Sequence, residues 1–246
     1  MHRIIVSLLS LCALVLVSTA WAGRDYLWEP TYGPEGGHVW SVVTTQAGTL
    51  LAGAESGGLY RSVNGGYSWD PVEMSWPCCN YSVPSLHVSD TVIYAGTWGG
   101  GVHVSLDDGE TWSPAGPIPN EGYPIVTGLA ACHFGSRVYA GGNFGVVVSQ
   151  DEGATWTSIS TGLPSGPWVR SLALHGAVLF ARYDDGIYRL DPTTQEWTSW
   201  NDGLSSSYGV QSFLATADGF FVATHEGGVC HLDCGDSTWV PMSDGL

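Results

Sequence analysis

The sequence predicts an all-β protein, a β-propeller of four-stranded antiparallel blades in five repeats, and three observations carry that reading. Tryptophan recurs at Trp28, Trp69, Trp112, Trp156, Trp197 and Trp239, at spacings of 41, 43, 44, 41 and 42 residues. Other residue registers keep the same period. The composition, with 34 Gly, 12 Trp, 11 Tyr and no Lys in 246 residues, runs against helix and towards strand and turn.

The registers agree across the chain. An Ala follows an apolar run at Ala52, Ala95, Ala140, Ala181 and Ala223. A Gly opens the next run at Gly58, Gly101, Gly145, Gly186 and Gly228. Upstream stand Val39, Val83, Val126, Val169 and Val210, each followed two residues later by Ser41, Ser85, Gly128, Ser171 or Ser212. A period near 42 belongs to four-stranded propeller blades. In the first unit the strands are expected near 38–44, 49–54, 58–63 and 68–72, bounded by Gly, Asn, Asp or Pro. No window carries the apolar spacing of a helix. A lone four-stranded sheet cannot bury both faces, and a ring gives each sheet two neighbours. A linear β-solenoid has shorter repeats and lacks the strand–turn–Trp punctuation.

The N-terminus reads as a targeting segment. Met1-His2-Arg3 is followed by an apolar run from Ile4 to Val17 and by Ala20-Trp21-Ala22, an A-x-A cleavage site. Residues 1–22 are therefore expected to be a signal peptide and 23–246 the propeller of an exported, periplasmic or extracellular protein. A transmembrane anchor is the rival reading, against which the run is short. Seven Lys+Arg face 23 Asp+Glu, a net charge of −16. That balance excludes a nucleic-acid partner, which needs cations on its phosphates, and disfavours an anionic membrane. No membrane contact is expected after signal removal.

Between the third and fourth strands the first three units carry one pattern, S-x-[DN]-x-G-x-[ST]-W. It comprises Ser62, Asn64, Gly66, Ser68 and Trp69, then Ser105, Asp107, Gly109, Thr111 and Trp112, then Ser149, Asp151, Gly153, Thr155 and Trp156. The Asp or Asn is placed to accept backbone N–H groups within the turn, and Gly to take a positive φ. Such segments resemble the Asp-box, or bacterial neuraminidase repeat. The resemblance covers essentially the whole chain after residue 22. Its flavour is that of the non-enzymatic photosystem-assembly-factor-like and sortilin-like propellers, and it implies that the box is a structural turn on the face away from the ligand site. The last two units depart from it. Pro192 and Cys234 stand in the Asp position, with Trp197 and Trp239 retained.

The chain holds five sets of four strands plus an extra strand at Leu27-Trp28-Glu29-Pro30. Five blades or an open five-blade arc is expected, with a larger ring completed by further sequence as the alternative.

Antiparallel order puts the blade links and the turns between second and third strands on one face, opposite the boxes. Those turns offer Glu55, Trp98, Asn143, Tyr183, Asp184, Asp185, His225 and Glu226 as ligand-binding candidates, and the links add His38, Trp76, Tyr81, Tyr123, Trp168 and Tyr208. Carboxylates among aromatic rings suit a protein or glycan ligand in a non-catalytic recognition or scaffold module. The same residues also suit solvated turns and blade packing. A glycoside hydrolase using Glu55, Asp184, Asp185 or Glu226 is the class-different alternative. A sialidase needs an arginine triad and an activated Tyr, and no R-I-P segment occurs. No cofactor is implied. His225, Glu226, Cys230, His231 and Cys234 match no zinc spacing. Export makes disulfides permissible, and Cys230–Cys234, flanking the degenerate fifth box, is the expected bridge.

Overall fold

The computed structural model describes residues 33, 38–74, 82–119, 122–132, 137–166, 168–204, 209–216, 219–225, 227–233 and 238–242. The expected signal peptide, Trp28 and the extra strand at 27–30 lie outside the described residues. Those described form five four-stranded antiparallel sheets, each with its strands side by side in chain order. The first blade is β1 (Val39–Thr44), β2 (Leu50–Ala54), β3 (Gly58–Ser62) and β4 (Asp70–Val72). The second is β5 (Ser85–Ser89), β6 (Val92–Gly96), β7 (Val102–Ser105) and β8 (Ser113–Pro114). The third is β9 (Val126–Cys132), β10 (Arg137–Gly142), β11 (Gly145–Ser149) and β12 (Thr157–Ser158). The fourth is β13 (Ser171–His175), β14 (Val178–Tyr183), β15 (Gly186–Leu190) and β16 (Trp197–Ser199). The fifth is β17 (Val210–Ala215), β18 (Gly219–Thr224), β19 (Val229–Asp233) and β20 (Val240–Pro241). Among the described residues there is no helix, and none long and apolar enough to cross a membrane.

Side chains alternate across each sheet, so each of the three middle blades has one face towards the blade before it and one towards the blade after. Four apolar clusters fill the four boundaries. Leu51 and Leu59 of blade 1 meet Leu86, Ile93 and Ala95 of blade 2. Tyr94 and Val102 meet Leu129, Val138 and Ala140. Tyr139 and Val146 meet Leu179, Ala181 and Leu190. Phe180 and Ile187 meet Phe220, Val222 and Leu232.

A polar clasp at the innermost strands accompanies each boundary. Ser41 Oγ donates to the carbonyl of Val83 at 3.5 Å, and Ser85 Oγ to that of Val126 at 3.1 Å. Thr127 Oγ1 donates to the Val169 carbonyl, and Arg182 Nε to that of Val210 at 2.7 Å. The valine register is thus the acceptor row of the blade-to-blade contact. The small residues exist because the backbones come so close. A Cβ on Gly53 would fall 2.3 Å from the Val83 carbonyl oxygen, and one on Gly96 2.8 Å from that of Val126. One register needs correction. Ser212 pairs with Ala223 and Phe213 with Val222, whereas Ser41 pairs with Gly53 and Val42 with Ala52. Val222, not Ala223, therefore occupies the alanine position of the fifth blade.

The third-to-fourth-strand turns are closed by their own side chains. In the second blade Asp107 Oδ1 accepts the Thr111 amide at 2.8 Å and its other oxygen the Thr111 hydroxyl at 2.5 Å. Ser105 Oγ donates to Asp107 and accepts the Gly109 amide. Asp151, Thr155, Ser149 and Gly153 repeat this in the third blade. In the first, Asn64 accepts the Ser68 amide and Ser62 the Gly66 amide. The hydrogen bonds from Thr111 and Thr155 hold the Asp107 and Asp151 carboxyls below the usual range. In the fourth blade Asp191, one residue earlier, accepts the amides of Thr193 and Thr194, which is how the turn survives Pro192. The Trp that follows the turn is driven inward in the second to fifth blades and is half-buried, as Trp69, in the first. Trp112, Trp156, Trp197 and Trp239 are all at most 7% exposed.

The expected Cys230–Cys234 bridge is corrected at its first member. Cys230 is a buried free thiol packed with Val222, Leu232 and Trp239 in the blade 4–5 core, where burial raises its pKa. Cys234 lies outside the described residues.

Inner strands pack β1 on β5, β5 on β9, β9 on β13 and β13 on β17, with no comparable packing between the fifth and first blades among the described elements. The succession turns about an axis, because Trp40 of blade 1 and Trp168, in the link into blade 4, both pack on Trp98 of blade 2.

Two stability effects follow. Trp112→Ala removes a core indole between blades 1 and 2 and is expected to cost about 3–5 kcal/mol in a denaturant melt. Gly53→Ala drives a methyl into the Val83 carbonyl and is expected to cost about 1–3 kcal/mol by the same measurement, although its φ suits alanine.

Candidate functional site

The face opposite the Asp107-type turns is built from the starts of the innermost strands and the turns between second and third strands. At that end three innermost strands carry the same irregularity. Their pairing skips one residue, between Val39 and Ser41, between Val126 and Gly128 opposite Gly142 and Gly141, and between Val210 and Ser212. The extra residues are Trp40, Thr127 and Gln211. A bulge re-aims a side chain and bends the strand, so each of these three repeats has one position turned away from the ordinary in–out alternation. In blade 4 the same position, just before β13, is Arg170.

Trp98 is the centre of this face. It follows β6, forms an isolated bridge with Ile125, and receives the Tyr123 hydroxyl on its carbonyl at 3.3 Å. Trp40 lies 6.5 Å from it, edge to face at 70°, and Trp168 5.7 Å away at 65°. The Arg170 guanidinium sits 5.7 Å from the Trp168 ring. Trp40 is 48% exposed, and Trp98 and Trp168 are half-buried. Three indoles from three blade regions thus form one partly open aromatic surface.

Among the described residues, Glu55, Asp184 and Asp185 on this face are each engaged by a different partner. Glu55 Oε2 is 3.1 Å from His38 Nδ1. Arg170 donates to both oxygens of Asp184, at 2.9 and 2.8 Å. Those bonds, with the charges of Arg170 and Arg182, outweigh partial desolvation and hold the Asp184 carboxyl below its ordinary value. Asp185 accepts the Tyr188 hydroxyl at 3.1 Å.

Two expected site residues serve the scaffold. Tyr183 is fully buried in the blade 3–4 core, because it is the last β14 residue on the sheet face that meets blade 3, and burial pushes its hydroxyl pKa up. Asn143 spends its side chain on the Ile125 amide at 2.9 Å and the Tyr123 carbonyl at 3.3 Å, holding the third-blade link against its own turn. His225 is exposed, and its amide donates to Gly209. Glu226, Trp76, Tyr81 and Tyr208 lie outside the described residues. Trp40 and Arg170 were missing from the sequence-derived set. Their signal was available: both stand one residue after the Val register and one before the Ser register.

On the opposite face a cavity of about 340 Å³ opens between blades 1 and 2, lined by Thr45, Val88, Asp90 and Leu106 together with Asp107 and Asp108. Asp107 belongs to its own turn, and Asp108 is held by Arg61 at 3.2 Å. Among the described residues no group of three His, Cys, Asp or Glu side chains comes together as metal ligands.

No family model matches the chain, and no curated protein does. Solved structures match in fold. An ancestral GH74 enzyme is 19% identical with a TM-score of 0.69, over 91% of this chain and 33% of its own. The extracellular domain of a two-component system of B. thetaiotaomicron is 19% identical at 0.68, over 86% of this chain and 28% of its own. YCF48 bound to a D1 peptide is 17% identical at 0.68, over 88% of this chain and 72% of its own. The chain spans about a third or less of the first two. These neighbours are β-propellers, and the chain has their fold.

The Arg170–Asp184 pair sets an acid limit. A carboxyl held low in the folded state adds stability above its unfolded pKa, near 4, and loses it as pH falls through the folded value. The stability difference between wild type and Asp184→Asn is therefore expected to be constant from neutral pH to about 5 and to vanish in acid. Urea melts across that range check it, and the difference stays small because the pair is exposed.

Proposed function

We propose that the chain is an exported, non-catalytic recognition module of the Asp-box type, binding a protein or glycan through the aromatic face centred on Trp98. The observation that carries this reading is the convergence of Trp40, Trp98 and Trp168 on one partly open surface. Aromatic anchors on a rigid scaffold are the residues that dominate binding energy. The signal-like N-terminus supports export, and among the similar folds one is an extracellular domain and another holds a peptide.

The glycoside-hydrolase alternative draws on the GH74 neighbour and on the same carboxylates. It is less well supported. A general acid needs a raised pKa, whereas Asp184 is held low by Arg170, and Glu55 and Asp185 are bound to separate partners.

Screening of the purified protein against glycan and peptide arrays identifies a ligand, and tryptophan-fluorescence titration then measures its affinity. Trp40→Ala, at an exposed position, is expected to leave the fold intact and weaken binding at least about tenfold. Unchanged affinity in both Trp40→Ala and Trp98→Ala would falsify the assignment of this face.

A further inference from the structure

We infer that the cavity between blades 1 and 2, on the face that carries the Asp107-type turns, binds an alkylammonium group, carried by a small amine or by a lysyl side chain. The site lies opposite the aromatic face and does not depend on the function proposed for that face.

The cavity, of about 340 Å³, falls at the lower end of the range of small-molecule sites, about 300–1,000 Å³. It forms where the turn between β1 and β2 faces the turn between β5 and β6 and the Asp107 turn of the second blade. The two blades are locked together beside it. A Cβ on Gly109 would stand 2.8 Å from the Leu51 side chain. Arg61 reaches across the boundary to Asp108, donating from Nε to its carbonyl at 3.0 Å and from Nη2 to its carboxylate at 3.2 Å.

The walls have two chemistries. Ala47, Val88, Ile93 and Leu106 form an apolar side, and Leu106 is 73% exposed. Asp90, Asp107 and Asp108 form an acidic side, and among the described residues no Arg or His lines the cavity. Hydrogen bonds from Thr111 hold the Asp107 carboxyl low. At Asp108 desolvation is outweighed by the neighbouring threonine hydroxyls and Arg61, which hold it below the ordinary carboxylate value.

Two polar atoms in this wall are without hydrogen bonds among the described residues. Thr45 lines the cavity and is 8% exposed. Its Oγ1 is close enough to act on the Asp108 charge and yet reaches hydrogen-bond geometry with no group. Asp108 accepts Thr49 Oγ1 and Arg61 on Oδ2 alone, which leaves Oδ1. A buried hydroxyl in that state costs free energy. An ammonium has three N–H donors and no acceptor, so one such group can donate to Thr45 Oγ1 and Asp108 Oδ1 together. Its methylene chain then lies along Val88 and Leu106, as the stems of long cationic side chains do on apolar surface. The net charge of −16 adds a general attraction for cations. A metal ion fits less well. Among the described residues no three acidic, His or Cys side chains converge, and both oxygens of Asp107 already accept from Ser105 and Thr111.

The test uses the whole isotope-labelled chain and amide resonances. The probe is n-pentylamine, with n-pentanol and pentanoate as its neutral and anionic counterparts. Pentylamine is expected to shift Thr45, Ala47, Thr91 and Leu106 saturably, and the other two to bind at least about tenfold more weakly. Thr45→Val and Asp90→Asn are expected to weaken pentylamine about threefold or more while moving Tm by about 2 °C or less. Thr45→Val is tolerated because it removes a hydroxyl that bonds nothing in the unliganded chain. A short peptide with one central lysine separates the two sources. Binding tighter than that of pentylamine assigns the site to a partner's side chain, and weaker binding assigns it to a small amine. Four results overturn the inference: pentanol or pentanoate binding as tightly as pentylamine, saturating pentylamine that leaves these four resonances in place, unchanged affinity in both folded variants, or calcium displacing pentylamine from the same residues.

Discussion

Close approach of backbones at the innermost strands is the constraint on which the rest of this structure depends. Each sheet is too small to bury its own apolar residues and becomes stable only when its faces meet neighbours. The meeting is fixed where a hydroxyl or guanidinium of one blade reaches the valine carbonyl of the next. Ser, Gly and Thr sit there because a larger side chain would collide with main chain, as the 2.3 Å approach at Gly53 shows. The clasp also satisfies a buried carbonyl that would otherwise cost free energy. Large side chains are then pushed to the middle and outer strands, where the interblade space is wider and the post-turn tryptophans fill it.

That constraint divides what the sequence makes legible. The period, the strands and the side of the sheet that each turn occupies follow from local rules, because Gly, Asp and Trp act within a few residues of themselves. Asp107 and Thr111 are four residues apart, and their hydrogen bonds are readable from spacing. Asp191 was harder. It stands one residue before the expected position, and only the geometry shows it collecting the amides that Pro192 could not hold. The slip of the alanine register at Val222 has a different origin. Ala223 stands at the position of Gly53 in the first blade, so a small residue next to Val222 reads as the register alanine itself.

The site was less legible for a different reason. Turn position alone does not say which way a side chain points. Tyr183 and Asp184 are adjacent, yet one is the last residue of a strand turned into the blade 3–4 core and the other reaches solvent to meet Arg170. Asn143 looked like a ligand group and is occupied by two backbone groups. Trp40 reads as core by the alternation of an inner strand, the bulge rotates it out, and its place between the Val and Ser registers is what marks it in the sequence. Recognition residues here arise where the repeat is locally broken.

The same logic connects the mouth to the curvature of the chain. Edge-to-face indole pairs contribute about 0.5–1.5 kcal/mol each beyond their burial, and those at Trp98 join residues 58 and 70 positions away in sequence. Such contacts form only after blades 1, 2 and the approach to blade 4 have all assembled. The aromatic surface is therefore a product of the arc and also one of its fastenings. A ligand that spreads across the three rings would bind the curved arrangement in preference to a splayed one and would stabilise it by mass action. Recognition at this face and cohesion of the blades are coupled through a single indole, so the affinity of the mouth should depend on anything that holds the blades at their present angle.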